Sequence, residues 1–446
     1  MSCRKKSSTI AVIGGGIAGS TCASELSKHF ENVIVFDQGR RGPGGRASHR
    51  SVNATDGIVL PDDDTLEPSN RGTFEFDHGC QFFRADSALM QTELLPQWLS
   101  SGWAAPWEAR LGCLPVSNDN KREVDFFGIP TRKEKVYVGV GGMHQLPRHI
   151  LESSDVEVQR GTRISGIRKN ENDRWDLIGV NGSRAFHDTP EEEAKKATPS
   201  ILCTADAVVF TDISSSSDSW HRASAGVPES LRLKVPKRAR IPLFSCMVAL
   251  SYPIREMIPY DGFSVSDNPK MWFACLSQSK PGFPECNSEC WTLVSTPSFA
   301  VEQIRETTMR DPLTGSFRPQ ENSYLNTVPG PALFKAFLQV VKPYLKNSEP
   351  PKAVYLQAQR WGSGLPAPDF TSKGVQEICG TIYATELENS LVYPRPSNVK
   401  DSDFIAEGNL RLYYAGDFCS QRNPGFESAA LSGLDVAKHI ASTIFE

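Results

Sequence analysis

The residues best suited to chemistry in this 446-residue chain are glycines and a carboxylate near its start. Gly14, Gly16 and Gly19 have the G-x-G-x-x-G spacing, and Asp37 lies 18 residues beyond the last of them. In such a loop the glycines permit a tight turn, backbone approach to a pyrophosphate and close helix–strand packing, while the carboxylate accepts ribose hydroxyls. The pattern predicts a dinucleotide site formed by Gly14, Gly16, Ile17, Ala18, Gly19, Asp37 and Gln38. The alternative is a glycine turn without a ligand, and the motif alone does not separate FAD from NAD.

Two further motifs favour FAD. Gly44 and Gly45 precede Arg46, so backbone amides and a guanidinium can together clamp a second part of a pyrophosphate. Near the end of the chain, Gly416 and Asp417 follow an apolar run, where a carboxylate can bind polyol hydroxyls and Arg46 can offset its charge. A helix of small residues follows, and its N-terminus would stabilise the negative charge of a reduced flavin. The helix residues expected at the cofactor are Phe426, Glu427, Ser428 and Ala429.

The elements that must position these motifs can be predicted from hydrophobic patterning. Strand patterns cover residues 9–13, 32–36, 207–210, 353–359 and 410–414. Residues 156–167 predict a pair of strands. Helix patterns cover residues 17–29, 143–152, 331–345 and 427–440. In the middle of the chain, the runs 241–252, 262–266, 271–278 and 291–297 are separated by Pro, Gly and Asn, which predicts an antiparallel sheet. Residues 51–72 and 181–200 are polar and are predicted to be surface excursions.

The expected fold class is α/β with two domains (α+β in its arrangement). A Rossmann-type FAD-binding domain is predicted for residues 8–75, 146–226 and 395–446. An inserted antiparallel-sheet substrate domain is predicted for residues 76–145 and 227–394.

Composition excludes several classes of protein. Lys and Arg number 48 and Asp and Glu 52, which argues against a nucleic-acid binder working through bulk charge. No apolar run approaches the ~18 residues of a membrane helix. The 11 cysteines are odd in number and scattered, so we expect an intracellular, soluble and cytoplasmic protein, with a trimmed plastid-targeted protein as the alternative. Cys286 and Cys290 lack a second pair of ligands, so no metal is expected.

The three motifs, in this order, resemble those of FAD-dependent amine oxidases and their relatives. The segments 77–83 (DHGCQFF), 141–143 (GGM) and 360–361 (RW) are most similar to the renalase branch, including plant NAD(P)/FAD-dependent homologues. The resemblance covers nearly the whole chain but is weak between about 180 and 350. It implies that the Ile164 backbone touches adenine, that Gly79 to Gln81 run near the isoalloxazine, and that Trp361 lies at the flavin–substrate cavity.

The sequence also departs from the family. Residues 51–72 and 181–200 look like insertions, and the motifs do not place the lysine that amine oxidases hold near flavin N5. The cysteine motif of covalently attached flavin is absent, because Cys419 has different neighbours. We therefore expect noncovalent FAD and a reaction other than ordinary amine oxidation.

The expected function is that of a FAD-dependent oxidoreductase. It would accept a hydride from a small molecule, such as a dihydronicotinamide or an amine, and pass electrons to O2 or another acceptor. The alternatives are a flavin desaturase or monooxygenase, and a protein-binding relative of the GDP-dissociation inhibitors, which would show degraded flavin motifs. The sequence does not predict the oligomeric state.

No catalytic residue can be named from the pattern. The candidates for flavin proximity are Gln81, Trp361 and His78. Cys80 and Cys419 are expected to be buried apolar groups. The charge run Arg132, Lys133 and Lys135 is either a solvated strand face or an attraction for a phosphorylated nicotinamide.

Overall fold

The computed structural model describes residues 5–39, 42–60, 72–115, 126, 135–181, 198–216, 224–308, 320–345, 349–367, 374–378, 381–385 and 403–443. Expectations for Arg132, Lys133 and residues 61–71 and 182–197 lie outside these ranges. No helix in the described ranges is long and apolar enough to cross a bilayer.

The strands, in chain order, are β1 Lys6–Ile13, β2 Phe30–Phe36, β3 His49–Asn53, β4 Thr73–Asp77, β5 Ala104–Pro106, β6 Leu111–Pro115, β7 Tyr137–Gly139, β8 Glu157–Gln159, β9 Thr162–Lys169, β10 Trp175–Asn181, β11 Ser200–Ala205, β12 Ala207–Phe210, β13 Arg240–Leu250, β14 Gly262–Ser266, β15 Met271–Leu276, β16 Cys290–Ser295, β17 Ala353–Pro366, β18 Val375–Ile378, β19 Thr381–Ala384, β20 Ile405–Glu407 and β21 Leu412–Tyr414. The helices are α1 Ile17–Leu26, α2 Leu95–Ser100, α3 Gln145–Glu152, α4 Glu229–Lys234, α5 Pro297–Glu306, α6 Asn322–Thr327, α7 Pro329–Val341 and α8 Phe426–Thr443.

A six-stranded sheet carries the glycine loop. Its order is β20-β21-β12-β1-β2-β8, and every pairing except β20–β21 is parallel. The strand β1 lies in the middle with Ile10, Ala11 and Val12 fully buried, as expected of a parallel strand covered on both faces. From β1 the chain moves to β2 on one side and later returns to β12 on the other. The crevice between β1 and β12 is therefore the topological switch point, where such sheets bind ligands.

Helices α1 and α8 cover one face of this sheet, and the three-stranded sheet β11-β10-β9 packs on the other. The two helices approach closely because Gly433 has no side chain. A Cβ atom there would lie 2.1 Å from the Ala18 carbonyl oxygen. The first half of α8 lies at the carboxyl end of β21, where the Ser432 hydroxyl accepts the Gly416 N–H at 2.9 Å.

The second large sheet has the order β18-β19-β13-β16-β15-β14-β6, with β17 also paired to β13. Its central strands are antiparallel, which confirms the strands predicted for the middle of the chain. Two pairings of this sheet are not antiparallel: β14–β6 and β13–β19 are parallel. Strand β6 precedes β14 by more than a hundred residues, so no hairpin constrains its direction. Helices α5 and α7 pack on this sheet through Phe299, Leu333 and Phe337.

Two local predictions were wrong. Residues 156–167 are not a strand pair, because β8 joins β2 while β9 pairs with β10. The turn at Gly161, with φ +62°, redirects the chain from one sheet to the other, and alternation of residue types does not identify a strand's partner. Residues 51–53 are not loop, since they belong to β3 and pair with β4.

Candidate functional site

The glycine loop lies at the carboxyl end of β1, and its glycines have different roles. Gly14 has φ +108° and donates its N–H to the Phe36 carbonyl at 2.8 Å. A Cβ at Gly19 would lie 1.9 Å from the Gly14 oxygen, so close packing of the fold demands that glycine. A Cβ at Gly16 would meet nothing nearer than the Gly45 Cα at 3.8 Å. The protein leaves this space open at the start of α1, where free N–H groups favour an anion.

Asp37 ends β2, and its carboxylate turns back onto the loop. The two oxygens accept the Gly15 N–H at 2.8 Å and the Gly39 N–H at 2.7 Å. Burial raises the pKa of Asp37, and the two amide hydrogen bonds partly offset this. A carboxylate has about four acceptor positions, so each oxygen keeps one for a hydroxyl. Gln38 is exposed beside it, and Ile164 is buried on β9.

The second and third motifs meet, although 371 residues separate them. Arg46 donates to both Asp417 oxygens, at 2.8 and 2.6 Å, and to the Gly364 carbonyl at 3.1 Å. Burial lowers the pKa of Arg46, but Asp417 outweighs burial and raises it. The Gly44 N–H donates to the Gly15 carbonyl at 2.9 Å, which joins the two glycine turns. The expected pairing of Arg46 with Asp417 is confirmed, and their contact with a cofactor stays a prediction.

At the start of α8 the side chains face the protein. The Phe426 ring stacks on the Phe83 ring, with 4.7 Å between the ring centroids. The Glu427 carboxylate accepts the N–H groups of Asp86 and Ser87 at 3.0 and 2.7 Å, and the Ser428 hydroxyl donates to the Gly425 carbonyl at 3.1 Å. Ala429 is buried. These contacts leave the backbone N–H groups of the first turn, and not the side chains, for a cofactor.

The turn 77–81 carries the predicted flavin-proximal residues. The Gln81 amide donates to the carbonyls of Asp77 and Gly79 at 2.7 and 2.9 Å. The Trp361 indole donates to the His78 carbonyl at 2.8 Å and stacks on the His78 ring at 5.6 Å. The turn is tied to the Arg46 segment, since a Cβ at Gly79 would lie 2.0 Å from the Arg46 oxygen. The structure thus brings His78, Gly79, Gln81 and Trp361 together. Gly416, with φ +140°, precedes Asp417 as expected.

The thiols of Cys80 and Cys419 are unreactive because of their surroundings. Cys419 is buried, and burial raises its pKa well above the usual range. Cys80 is partly exposed and not buried as expected, and desolvation by the surrounding residues raises its pKa to about 12. Both thiols therefore stay protonated and behave as small apolar groups.

A buried charge network behind this turn escaped the sequence analysis. The Lys280 ammonium donates to the Asp77 carboxylate at 2.9 Å and to the Gln81 side-chain oxygen at 3.1 Å. His49 lies 3.1 Å from the other Asp77 oxygen and 2.6 Å from Glu75. Lys280 follows a strand in a Ser-Lys-Pro-Gly turn, which is a weak signal. The meeting of His49 with Asp77 depends on the register of β3 with β4.

Each group in the network fixes the charge of its neighbours. Burial alone would raise the pKa of Asp77, but Lys280 and His49 hold it well below its usual range. Burial would lower the pKa of Lys280 and His49. The Asp77 carboxylate nevertheless raises the pKa of Lys280. Hydrogen bonds to Asp77 and Glu75 raise the pKa of His49 to about 9. Burial, together with the charge on His49, lowers the pKa of His144 to about 2. At neutral pH, His49 is an imidazolium and His144 is neutral.

The side chains of His49, Asp77 and His144 lie close enough to suggest a metal site, with ligand atoms within 4.8 Å of one another. The two imidazole rings stack at 4.4 Å and 20°. The nitrogen lone pairs of an imidazole lie in the plane of its ring. Because the rings of His49 and His144 are nearly parallel, their lone pairs do not converge on one ion. Both ring nitrogens of His49 face carboxylates and donate hydrogen bonds to Asp77 and Glu75. The geometry therefore suits an ion pair better than metal ligation.

Comparisons with known proteins agree with this architecture. The profile of the NAD(P)-binding Rossmann-like domain matches residues 12–92. A putrescine oxidase with bound putrescine has a TM-score of 0.55 at 11% identity, covering 98% of this chain and 99% of that one. A reduced UDP-galactopyranose mutase has a TM-score of 0.55 at 10% identity, covering 99% and 97%. A fatty acid isomerase from P. acnes has a TM-score of 0.54 at 11% identity, covering 100% of each. Such similarity establishes the fold, and the three named activities differ, so the fold leaves the reaction open.

Proposed function

We propose that this chain is a FAD-dependent oxidoreductase that accepts a hydride from a small molecule and passes the electrons to O2 or another acceptor. One observation carries the proposal: three motifs distant in the chain meet at one edge of the six-stranded sheet. Gly16 pairs with Gly44, and Arg46 pairs with Asp417. A domain that binds only NAD needs the first glycine loop and not the other two.

The residues present fit FAD along its length. We assign the adenosine end to Asp37, Gln38 and Ile164. The pyrophosphate would lie on the loop from Gly14 to Gly19 and on the turn from Gly44 to Arg46, where Gly16 leaves open a space that a Cβ would fill. Asp417 would accept a ribityl hydroxyl, because its buried carboxylate is neutralised by Arg46 and does not repel the phosphates.

The flavin ring would lie between the turn 79–81, Trp361 and the first turn of α8. This assignment divides the chain into a FAD-binding domain of residues 8–75, 146–226 and 395–446 and a substrate domain of residues 76–145 and 227–394. When bound, FAD supplies the hydride acceptor. The chain would hold it noncovalently, because burial keeps the nearby thiols protonated.

The chain's own residues would mainly position the reactants. Hydride transfer from a carbon depends on alignment more than on a general base, so the absence of an obvious catalytic triad from the sequence fits this chemistry. We propose Lys280 as the lysine that the sequence pattern did not place. Two of its three donors are used by Asp77 and Gln81. The third has no acceptor within the described ranges.

Two measurements test the proposal. The purified protein should be yellow, with a flavin absorbance band at about 450 nm. Under anaerobic conditions, reduced nicotinamides and their isomers, and separately primary and secondary amines, should be screened for bleaching of that band. Bleaching by the nicotinamides favours the renalase-like reaction, and bleaching by amines favours an amine oxidase. A colourless wild-type protein that does not bind added FAD would refute the proposal and favour a protein-binding role.

A further inference from the structure

The buried network of His49, Glu75, Asp77 and Lys280 is more elaborate than cofactor binding requires. The Lys280 side chain is 1% exposed, and the Asp77 side chain is fully buried. Two cations face two carboxylates, so the network is neutral as a whole. His49, Asp77 and Lys280 are buried, and Glu75 is partly exposed. Placing ionised groups in a protein interior is costly, and the desolvation is offset only where the geometry of the pairs is good.

Asp77 links its own turn to four other parts of the chain. Its carboxylate contacts His49 and Lys280 and accepts the Met143 N–H at 2.9 Å. Its main-chain carbonyl accepts the Gln81 amide at 2.7 Å and the Thr292 hydroxyl at 2.9 Å. A change at Asp77 therefore reaches the turn 77–81 directly.

We propose that Asp77 is a positioning residue that fixes the turn 77–81 and, with Lys280, sets the electrostatic potential at the face of the flavin. This inference rests on the proposed function, which places that turn against the ring. A flavin gains negative charge on reduction, so a nearby anion disfavours reduction and a nearby cation favours it. In a water-poor interior such effects are weakly screened. The two partners should therefore shift the flavin reduction potential in opposite directions.

The test is the reduction potential of the FAD-loaded protein in four variants. Measured at a pH low enough to keep Lys280 protonated without its partner, Asp77→Asn should raise the potential. Lys280→Met should lower it. The double variant, Asp77→Asn with Lys280→Met, should return it toward the wild-type value, because both charges are gone. Lys280→Arg keeps the charge and should stay nearer to wild type than Lys280→Met.

Asp261→Asn is the matched control. Asp261, the residue before β14, is also buried in an ion pair, where it contacts Arg110 and Arg255. This variant should lower thermal stability and leave the potential unchanged. A purely structural role for Asp77 predicts instead that Asp77→Asn and Lys280→Met shift the potential in the same direction, or not at all.

The outcomes separate the two proposals. If wild-type protein binds no FAD, the proposed function fails. If FAD binds and the single variants do not shift the potential in opposite directions, this inference alone is overturned. Should Asp77→Asn fail to fold, the comparison of Lys280→Met with Lys280→Arg decides, and equal potentials in those two variants would contradict the proposal.

Discussion

At the scale of single residues, two buried carboxylates of the site have cationic partners. Asp417 is 1% exposed and is held by the Arg46 guanidinium, while Asp77 is held by Lys280 and His49. Removing one member of such a pair leaves the other charge buried and unpaired, which costs more than the pair itself contributes. Substitutions that keep the shape and change the charge are therefore the most informative.

Asp417→Asn and Asp417→Leu form a graded series. The amide keeps an acceptor for a ribityl hydroxyl, so Asn should weaken FAD binding modestly. Leu removes the acceptor and should weaken binding by about 1–3 kcal/mol, the cost of leaving a buried hydrogen-bonding group unpaired. The FAD dissociation constant measures this, and thermal unfolding of the apoprotein separates lost binding from lost folding. If the Leu variant holds FAD as tightly as wild type does, Asp417 does not contact the cofactor.

His49 makes stability depend on pH. Its pKa is raised from 6.5 to about 9 by its two carboxylate partners. The folded state therefore binds the proton more tightly than the unfolded state. The stabilisation is complete below pH 6.5 and is lost as pH rises through about 9. Urea midpoints measured from about pH 6 to about pH 10 should fall in wild type and stay flatter in His49→Gln. An identical fall in both proteins would show that another group is responsible.

At the scale of elements, the strand–loop–helix unit separates glycines needed by the fold from one kept for a ligand. Gly19 packs against the end of β1, where a Cβ would overlap the Gly14 oxygen. Gly16 has room for a Cβ. The same motif thus contains a structural glycine and a candidate binding glycine, and the backbone contacts tell them apart.

Gly16→Val should abolish FAD retention, because the side chain occupies the place of the pyrophosphate. Gly16→Ala should weaken it, with little change in apoprotein stability. Gly19→Val is the control and should impair folding itself, since its Cβ would lie 1.9 Å from a carbonyl oxygen. Absorbance of the purified protein and circular dichroism of the apoproteins measure the two effects. A yellow Gly16→Val protein would refute the assignment of this loop.

At the scale of the whole molecule, the two large sheets are joined across the candidate cofactor site. Arg46, which pairs with Asp417 beyond the end of β21, donates to the Gly364 carbonyl of β17. Arg238 donates to the carbonyls of Asp417 and Ser420 at 3.3 and 2.6 Å. A ligand at this position would contact both parts, so its binding should stabilise the chain as a unit.

Added FAD should therefore raise the unfolding temperature of the apoprotein. A ligand that binds only the folded state, at about 100 times its dissociation constant, adds about 2.7 kcal/mol. Differential scanning calorimetry with increasing FAD measures the shift, and Gly16→Val serves as the nonbinding control. No shift at saturating FAD in wild type would contradict a cofactor held between the two sheets.

The sequence alone determined the elements whose signals are local. The strands around Ile10 and Val33 are apolar runs, the glycine spacing identifies the turn between β1 and α1, and the antiparallel strands of the middle region are bounded by Pro and Gly. Each of these depends on residues close together in the chain. They were sufficient to predict the fold class.

Tertiary structure alone decided which strands are partners and which side chains are neighbours. Alternation within residues 156–167 did not reveal that β8 and β9 belong to different sheets. The pairing of His49 with Asp77 needed the register of β3 with β4, and Lys280 reached Asp77 only through packing of the second sheet. The physical reason is that a one-residue change of register turns every side chain to the opposite face, while a single buried lysine or histidine leaves no periodic trace in the sequence.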